Sequence, residues 1–169
     1  MMILLRLIHI LAGVFWAGAA FFVATILLPS IKAAGPAGGP VMREVVGVRK
    51  FPVVASIAGL LTILSGGWMY WHNISVSQGK SWAGSVPGMT YGVGALAAIV
   101  TMALAGMIMA PTAKKVGALA DAMAAAGGPP SPAQVAEMQT LQARLQFGTR
   151  LGAFFLCITV ITMAIARYL

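Results

Sequence analysis

Apolar residues run in four long stretches along the chain, and the segments between them hold most of the charge and the helix breakers. Each stretch approaches the roughly twenty apolar residues that a helix needs to cross a bilayer. The first predicts a span over 3–28, ended by Pro29-Ser30. A breaker-rich connection follows, through Gly35-Pro36-Ala37-Gly38-Gly39-Pro40, and carries Lys32, Arg43, Arg49 and Lys50. The second span opens at Phe51-Pro52, proline being tolerated in a first turn, and is predicted over 52–72. Residues 73–90 read as a loop with Lys80 as its charge, and the third span is predicted over 91–110.

Beyond Pro111 the pattern changes. Val116, Leu119 and Met123 recur at helical spacing over a shorter, more polar segment, which Gly127-Gly128-Pro129-Pro130 ends. Ser131-Pro132-Ala133-Gln134 then has the form of a capping box with proline at the first helical position. From there a helix is predicted to Arg167, and its 148–167 part is apolar enough to span. Its earlier turns, with Val135, Met138 and Leu145, are expected to pair with residues 112–126 as a helical hairpin over 112–147. The predicted fold class is all-α. A single domain over 1–169 forms a four-transmembrane-helix bundle, with a short cytoplasmic helical hairpin between the third and fourth spans.

Composition agrees with the pattern. Sixty per cent of residues are hydrophobic and eight per cent charged, against about a quarter charged in a soluble domain. The lipid bilayer is therefore the expected surroundings. Eleven Lys/Arg against Glu44, Asp121 and Glu137 give a formal charge of +8. In a soluble chain that excess would suggest nucleic acid; here the positive-inside bias accounts for it, and no nucleic-acid partner is expected. With every carboxylate outside the apolar runs, hydrolytic acid–base chemistry has no candidates. Cys157 is alone in an apolar run, which excludes an intramolecular disulfide and a cysteine metal cluster. Ala17-Gly18-Ala19 looks faintly like a signal cleavage site, but hydrophobicity continues to Leu28 and Arg6 is the only charge before it, so a retained helix is expected.

Charge also predicts orientation. The 29–50 and 111–147 connections share one side and carry Lys32, Arg43, Arg49, Lys50, Lys114, Lys115 and Arg144, with Arg150 at the rim. The other side has Arg6, Lys80 and Arg167. The basic side is expected to be cytoplasmic, which leaves both termini periplasmic. Trp68, Tyr70, Trp71, Trp82 and Tyr91 are then expected as an aromatic belt at the outer interface.

An ionisable residue at membrane depth is costly and usually functional. The chain has two histidines, His9 and His72. Counted upward from Leu28 and Pro52, His9 lies nineteen residues and His72 twenty from one interface. At about 1.5 Å per residue both rings fall near one level, on sequential antiparallel helices. Neutral imidazole ligates haem iron, copper and zinc, so the pair is predicted to ligate one b-type haem. Gly13 and Trp16, with Ala12 and Ala20, share the His9 face and suit a flat macrocycle, while Arg6 suits a propionate. Ser65, Trp68 and Met69 lie toward the His72 face. Competing readings attach to each. Small residues serve helix contacts, Arg6 snorkels to headgroups, His72 is an interfacial polar residue, and His9 hydrogen-bonds a neighbouring helix. Met69, Met89 and Met163 are alternative second ligands on the outer half. Thioethers also suit copper, but eleven methionines in so apolar a chain serve mainly as packing.

His9-x6-Trp16-x-Gly18 in a spanning first helix resembles the four-helix membrane superfamily that includes the copper-resistance protein CopD and the HemJ-type protoporphyrinogen oxidases. Arg49-Lys50-Phe51 and Ser65-Gly66-Gly67-Trp68 look like its uncharacterised relatives, and the resemblance covers 6–72. It implies a four-helix bundle in a bacterial inner membrane, with His9 as a haem b ligand. The HemJ-type Leu-Pro-Arg-Leu segment is absent, Leu28-Pro29 being followed by Ser30, and the third span holds no lysine. Protoporphyrinogen oxidation is therefore not carried over, and His72 is expected as second ligand on depth alone.

The expected function is electron transfer or a haem-dependent oxidoreductase activity near the periplasmic face. Quinone, a periplasmic electron carrier, a second copy or a larger membrane complex are the expected partners. The alternatives are copper transport or handling, and a cofactor-free accessory subunit.

Overall fold

The computed structural model describes residues 1–77 and 79–169, without the side chains of Pro36 and Ser77. The described residues contain helices and no strand. Four helices are long and apolar enough to cross a membrane: α1 (Met2–Ala33), α2 (Phe51–Val76), α3 (Val86–Ala125) and α4 (Pro132–Tyr168). Neighbours pack α1 on α2, α2 on α3, α3 on α4 and α4 back on α1, which closes an antiparallel four-helix bundle.

The helices run further than the breakers predict. α1 passes Leu28 and Pro29 and ends at Ala33 rather than at the proline. It does so through one wide turn, Val23–Leu27, in which the Leu28 amide reaches back five residues to the Val23 carbonyl. Such a π-turn lets a helix absorb a proline that has no amide to give. The same device carries α3 through Pro111, where Ala105–Met109 form the wide turn. The segment after Pro111 is therefore continuous with the third span. α3 also begins at Val86, five residues before the predicted start, because Ser85 caps it by accepting from the Gly88 amide and Pro87 sits in its first turn. Most of the predicted 73–90 loop is helical: α2 runs on through Asn73–Ser77, and Lys80–Gly84 form a 3₁₀ turn. Gln78, within that predicted loop, lies outside the described residues. Short helical turns, Gly38–Arg43 and Glu44–Val48, also fill much of the expected breaker-rich connection.

α4 follows its prediction closely. The Ser131 hydroxyl accepts from the Gln134 amide while the Gln134 side chain accepts from the Ser131 amide, a complete capping box. From Pro132 the α-helix continues to Ile165 and ends in a 3₁₀ turn. The Ala110–Ala125 part of α3 lies against α4.

The interior is built from small residues and hydroxyls, and the exterior from large aliphatic ones. Each helix gives one buried residue to a central cluster: Trp16, Ala58, Ala98 and Leu156. Ile3, Leu7, Leu11, Val53, Leu64, Leu96, Phe154 and Ile161 face outward. This inversion of the soluble pattern suits lipid, where helices associate by close contact and hydrogen bonds rather than by hiding apolar area from water. Between α3 and α4 the hydroxyls form a reciprocal pair of clamps. The Thr101 hydroxyl shares its proton between the Ala97 carbonyl at 3.0 Å and the Gly152 carbonyl of α4 at 3.3 Å, and the Thr159 hydroxyl between the Phe155 carbonyl and the Gly94 carbonyl of α3, both at 3.1 Å.

Candidate functional site

His9 sits against α2, in the seam between the first two helices. Its Nδ1 lies 2.8 Å from the main-chain carbonyl of Thr62. A carbonyl only accepts, so Nδ1 carries the proton and, in the uncharged ring, Nε2 keeps its lone pair. The Ser65 hydroxyl donates its proton to the Leu61 carbonyl at 2.6 Å and also lies 3.2 Å from the Thr62 carbonyl. Ser65 Oγ is 3.4 Å from His9 Nδ1. Nδ1 of His9 and the Ser65 hydroxyl are thus both partnered within the seam.

Gly66 makes the arrangement possible. A Cβ there would stand 2.7 Å from His9 Cε1 and 3.0 Å from Nδ1. The missing side chain gives the imidazole its seat and uncovers the carbonyl one turn earlier.

The register of the seam decides the fate of the two-histidine expectation. Three contacts set it: His9 lies on Gly66, Gly13 on Thr62, and Trp16 on Gly59. Carried upward, the same antiparallel register puts His72 opposite Ile3. His72 lies six residues beyond Gly66, so its backbone is about 9 Å further along the axis than the seat of His9. The level shared by both rings is not what these contacts give. The count failed because it took Leu28 as the level of Pro52, whereas by this register the start of α2 stands level with Ala24. His72 itself is half-buried, with an interaction of its own.

The other predicted residues divide. Trp16 is 6% exposed and lies over Gly59, where a Cβ would meet its ring at 2.7 Å and Met102 Cε at 2.5 Å. A Cβ at Gly13 would stand 3.4 Å from Thr62 Cγ2. The face of α1 expected to receive a macrocycle is therefore filled by α2 at these two positions. Arg6 is exposed. Trp68 is exposed and tilts against Trp71, ring centroids 5.3 Å apart. With Leu5, Ile8, Leu61, Leu64 and Ser65 it lines a shallow groove of about 240 Å³ beside His9, below the roughly 300–1,000 Å³ of pockets that enclose a drug-sized ligand.

Sequence reasoning placed Ser65 with His72, and the structure places it with His9. Thr62 was missed altogether. Its signal was available: a histidine at membrane depth requires an acceptor, and Thr62, Ser65 and Gly66 form a small polar step on the neighbouring helix.

The predicted aromatic set gathers at one end of the bundle. Tyr70 and Trp82 have ring centroids 5.3 Å apart, Trp82 and Tyr91 6.2 Å, and the Tyr70 hydroxyl donates to the Gly88 carbonyl. Among the described residues no group of three or more His, Cys, Asp or Glu is placed to hold a metal ion. Of the methionines, Met102 packs on Gly59 and Met109 accepts from the Thr149 hydroxyl at 3.6 Å. The residues present thus offer one imidazole oriented by a main-chain carbonyl, with His72 at a different backbone level. No family model, curated protein or solved structure matches this chain.

Proposed function

We propose that this chain is a redox protein of a bacterial inner membrane, in which His9 would hold one b-type haem through Nε2 near the periplasmic face. The observation that supports this reading is the bond from Nδ1 to the Thr62 carbonyl. Ligating histidines characteristically give their other ring nitrogen to a carbonyl or carboxylate, which fixes the tautomer and raises the basicity of the ligand nitrogen. The haem would supply one-electron exchange. The chain's own part is to hold the imidazole in one orientation, through Thr62, Ser65 and Gly66, in a setting away from bulk water. His72, in the register described above, has no ligand role in this reading. The CopD/HemJ-like resemblance over residues 6–72 points to the same first-helix histidine. The basic end of the bundle is cytoplasmic in this reading, and quinone or a periplasmic carrier is the electron partner.

The test is the visible spectrum of the detergent-purified protein from haem-replete cells, oxidised and reduced. A Soret band that disappears in His9→Ala and persists in His72→Ala is the expected result. A colourless wild-type protein, or a band unchanged in His9→Ala, overturns the proposal.

A second reading, a cofactor-free accessory subunit, is favoured by the packing of Gly13 and Trp16 against α2. It predicts no absorbance beyond 300 nm and a role for His9 confined to joining α1 to α2.

A further inference from the structure

Positive charge in the paired extension of α3 and α4 is sorted by height. Met109 meets Gly148 and Thr149, and from that contact the two helices run on side by side. Lys114 lies five residues past Met109, and Arg144 lies five before Thr149. They therefore share a level, about 7.5 Å beyond the contact, with Lys115 adjoining. Arg150 stands at the level of Ile108, and all four are exposed. Asp121 and Glu137 each lie twelve residues from the same contact, level with each other near the far tip and about 18 Å out. The carboxylates are thus held about 10 Å further from the apolar band than the central basic residues. At the same end Lys32, Arg43 and Lys50 are exposed, while Arg49 is paired with Glu44 at 2.9 Å.

We infer that this collar, with Lys114, Lys115 and Arg144 at its centre and Arg150 at its upper edge, binds the phosphate headgroups of anionic phospholipids in the adjoining leaflet. The charge is of the right sign and stands just beyond the apolar faces of α3 and α4. The acidic groups that would oppose such a surface are kept at a distance. Lys114 and Lys115, consecutive in α3, leave its axis about 100° apart, so the charge is spread around the helix, which suits mobile lipids better than one rigid macromolecular face. Basic residues beside an anionic membrane surface are worth about 1 kcal/mol each, or roughly fivefold in affinity, and the effect falls off within a Debye length. The inference needs the membrane position of the helices and is independent of any cofactor.

The full chain is reconstituted in phosphatidylcholine vesicles carrying a trace of spin-labelled phosphatidylglycerol or spin-labelled phosphatidylcholine. The immobilised fraction of each label gives their relative association constant. Wild type favours phosphatidylglycerol several-fold, and added salt weakens the preference. The K114Q/K115Q/R144Q variant, its helicity checked by circular dichroism, lowers the ratio by about twofold or more. Lys80→Gln, at the other end of the bundle, leaves it unchanged. A wild-type ratio near one, or a triple variant that keeps the wild-type ratio while folded, overturns the inference.

Discussion

The imidazole of His9 is bonded to the main-chain carbonyl of Thr62, 53 positions later in the chain and 2.8 Å away. This contact joins α1 to α2, and it depends on the absence of a side chain at Gly66. Gly66→Ala is expected to displace the ring, since its Cβ would stand 2.7 Å from His9 Cε1. Overpacking of this kind costs about 1–3 kcal/mol, read as a lowered unfolding temperature in detergent. Gly67→Ala is the matched control, because nothing lies within 4 Å of its added methyl. There the gain in helix propensity, up to about 1 kcal/mol, is expected to leave stability equal or slightly higher. Equal losses at both positions would show that the seat of His9 is not specific.

Trp16 anchors the middle of the bundle, 6% exposed and lying on Gly59. Trp16→Ala removes the largest side chain of the central cluster and is expected to leave a void beside Ala58, Ala98 and Leu156. Large-to-small changes of this size cost about 3–5 kcal/mol in soluble cores. Here part of the transfer term is missing, lipid being as apolar as the core, so the expected loss is at the lower end. Denaturant unfolding in mixed micelles measures it. An unchanged midpoint would mean that α1 is not held through this residue.

The α3–α4 clamps give a test on a smaller scale. Thr101→Val and Thr159→Val keep shape and remove one hydroxyl each, with the Gly152 and Gly94 carbonyls losing their interhelical donors. Membrane hydrogen bonds of this type average about 0.6 kcal/mol and reach about 1.7. Each single variant is expected within that range. The double variant should be additive within about 0.5 kcal/mol, since the clamps share no partner. A strongly non-additive result would show that the two clamps act as one unit.

How far the sequence discloses this fold depends on what each residue needs from its neighbours. The capping box at Ser131–Gln134 is local chemistry, and it predicts the start of α4 correctly. The four apolar runs likewise yield four helices, because twenty apolar residues in succession have few alternatives. Pro29 and Pro111 mislead because a proline's effect depends on the preceding turn, and a π-turn reconciles it with a continuous helix. That error propagates to the candidate site. Taking Leu28 as level with Pro52 shifts the assumed register between α1 and α2 by five residues and brings His72 to within one residue of the level of His9. Contacts at Gly59, Thr62 and Gly66 fix the register instead, and such contacts are properties of two helices together. The reading of Gly13 and Trp16 as a macrocycle face has the same weakness. Small residues suit a cofactor and a neighbouring helix equally, and the structure gives both positions to the helix.

Orientation in the membrane is proposed from charge, and labelling tests it. Ser81 and Ala126 are both exposed and stand at opposite ends of α3. Their ends differ in charge: Lys32, Arg43, Arg49, Lys50, Lys114, Lys115, Arg144 and Arg150 accompany Ala126, whereas Arg6, Lys80 and Arg167 accompany Ser81. Translocation disfavours the more basic side. In intact cells a charged, impermeant maleimide is therefore expected to label Ser81→Cys, and Ala126→Cys only after the membrane is opened. The native Cys157 provides an internal reference, since it is exposed on the lateral face of α4 inside the apolar run. Hydrocarbon excludes the charged reagent, so Cys157 should stay unlabelled in either case. Labelling of Ala126→Cys but not Ser81→Cys in intact cells would invert the orientation and place the aromatic cluster and His9 toward the cytoplasm. Labelling of both sites at equal rates would contradict the crossing of the membrane by α3.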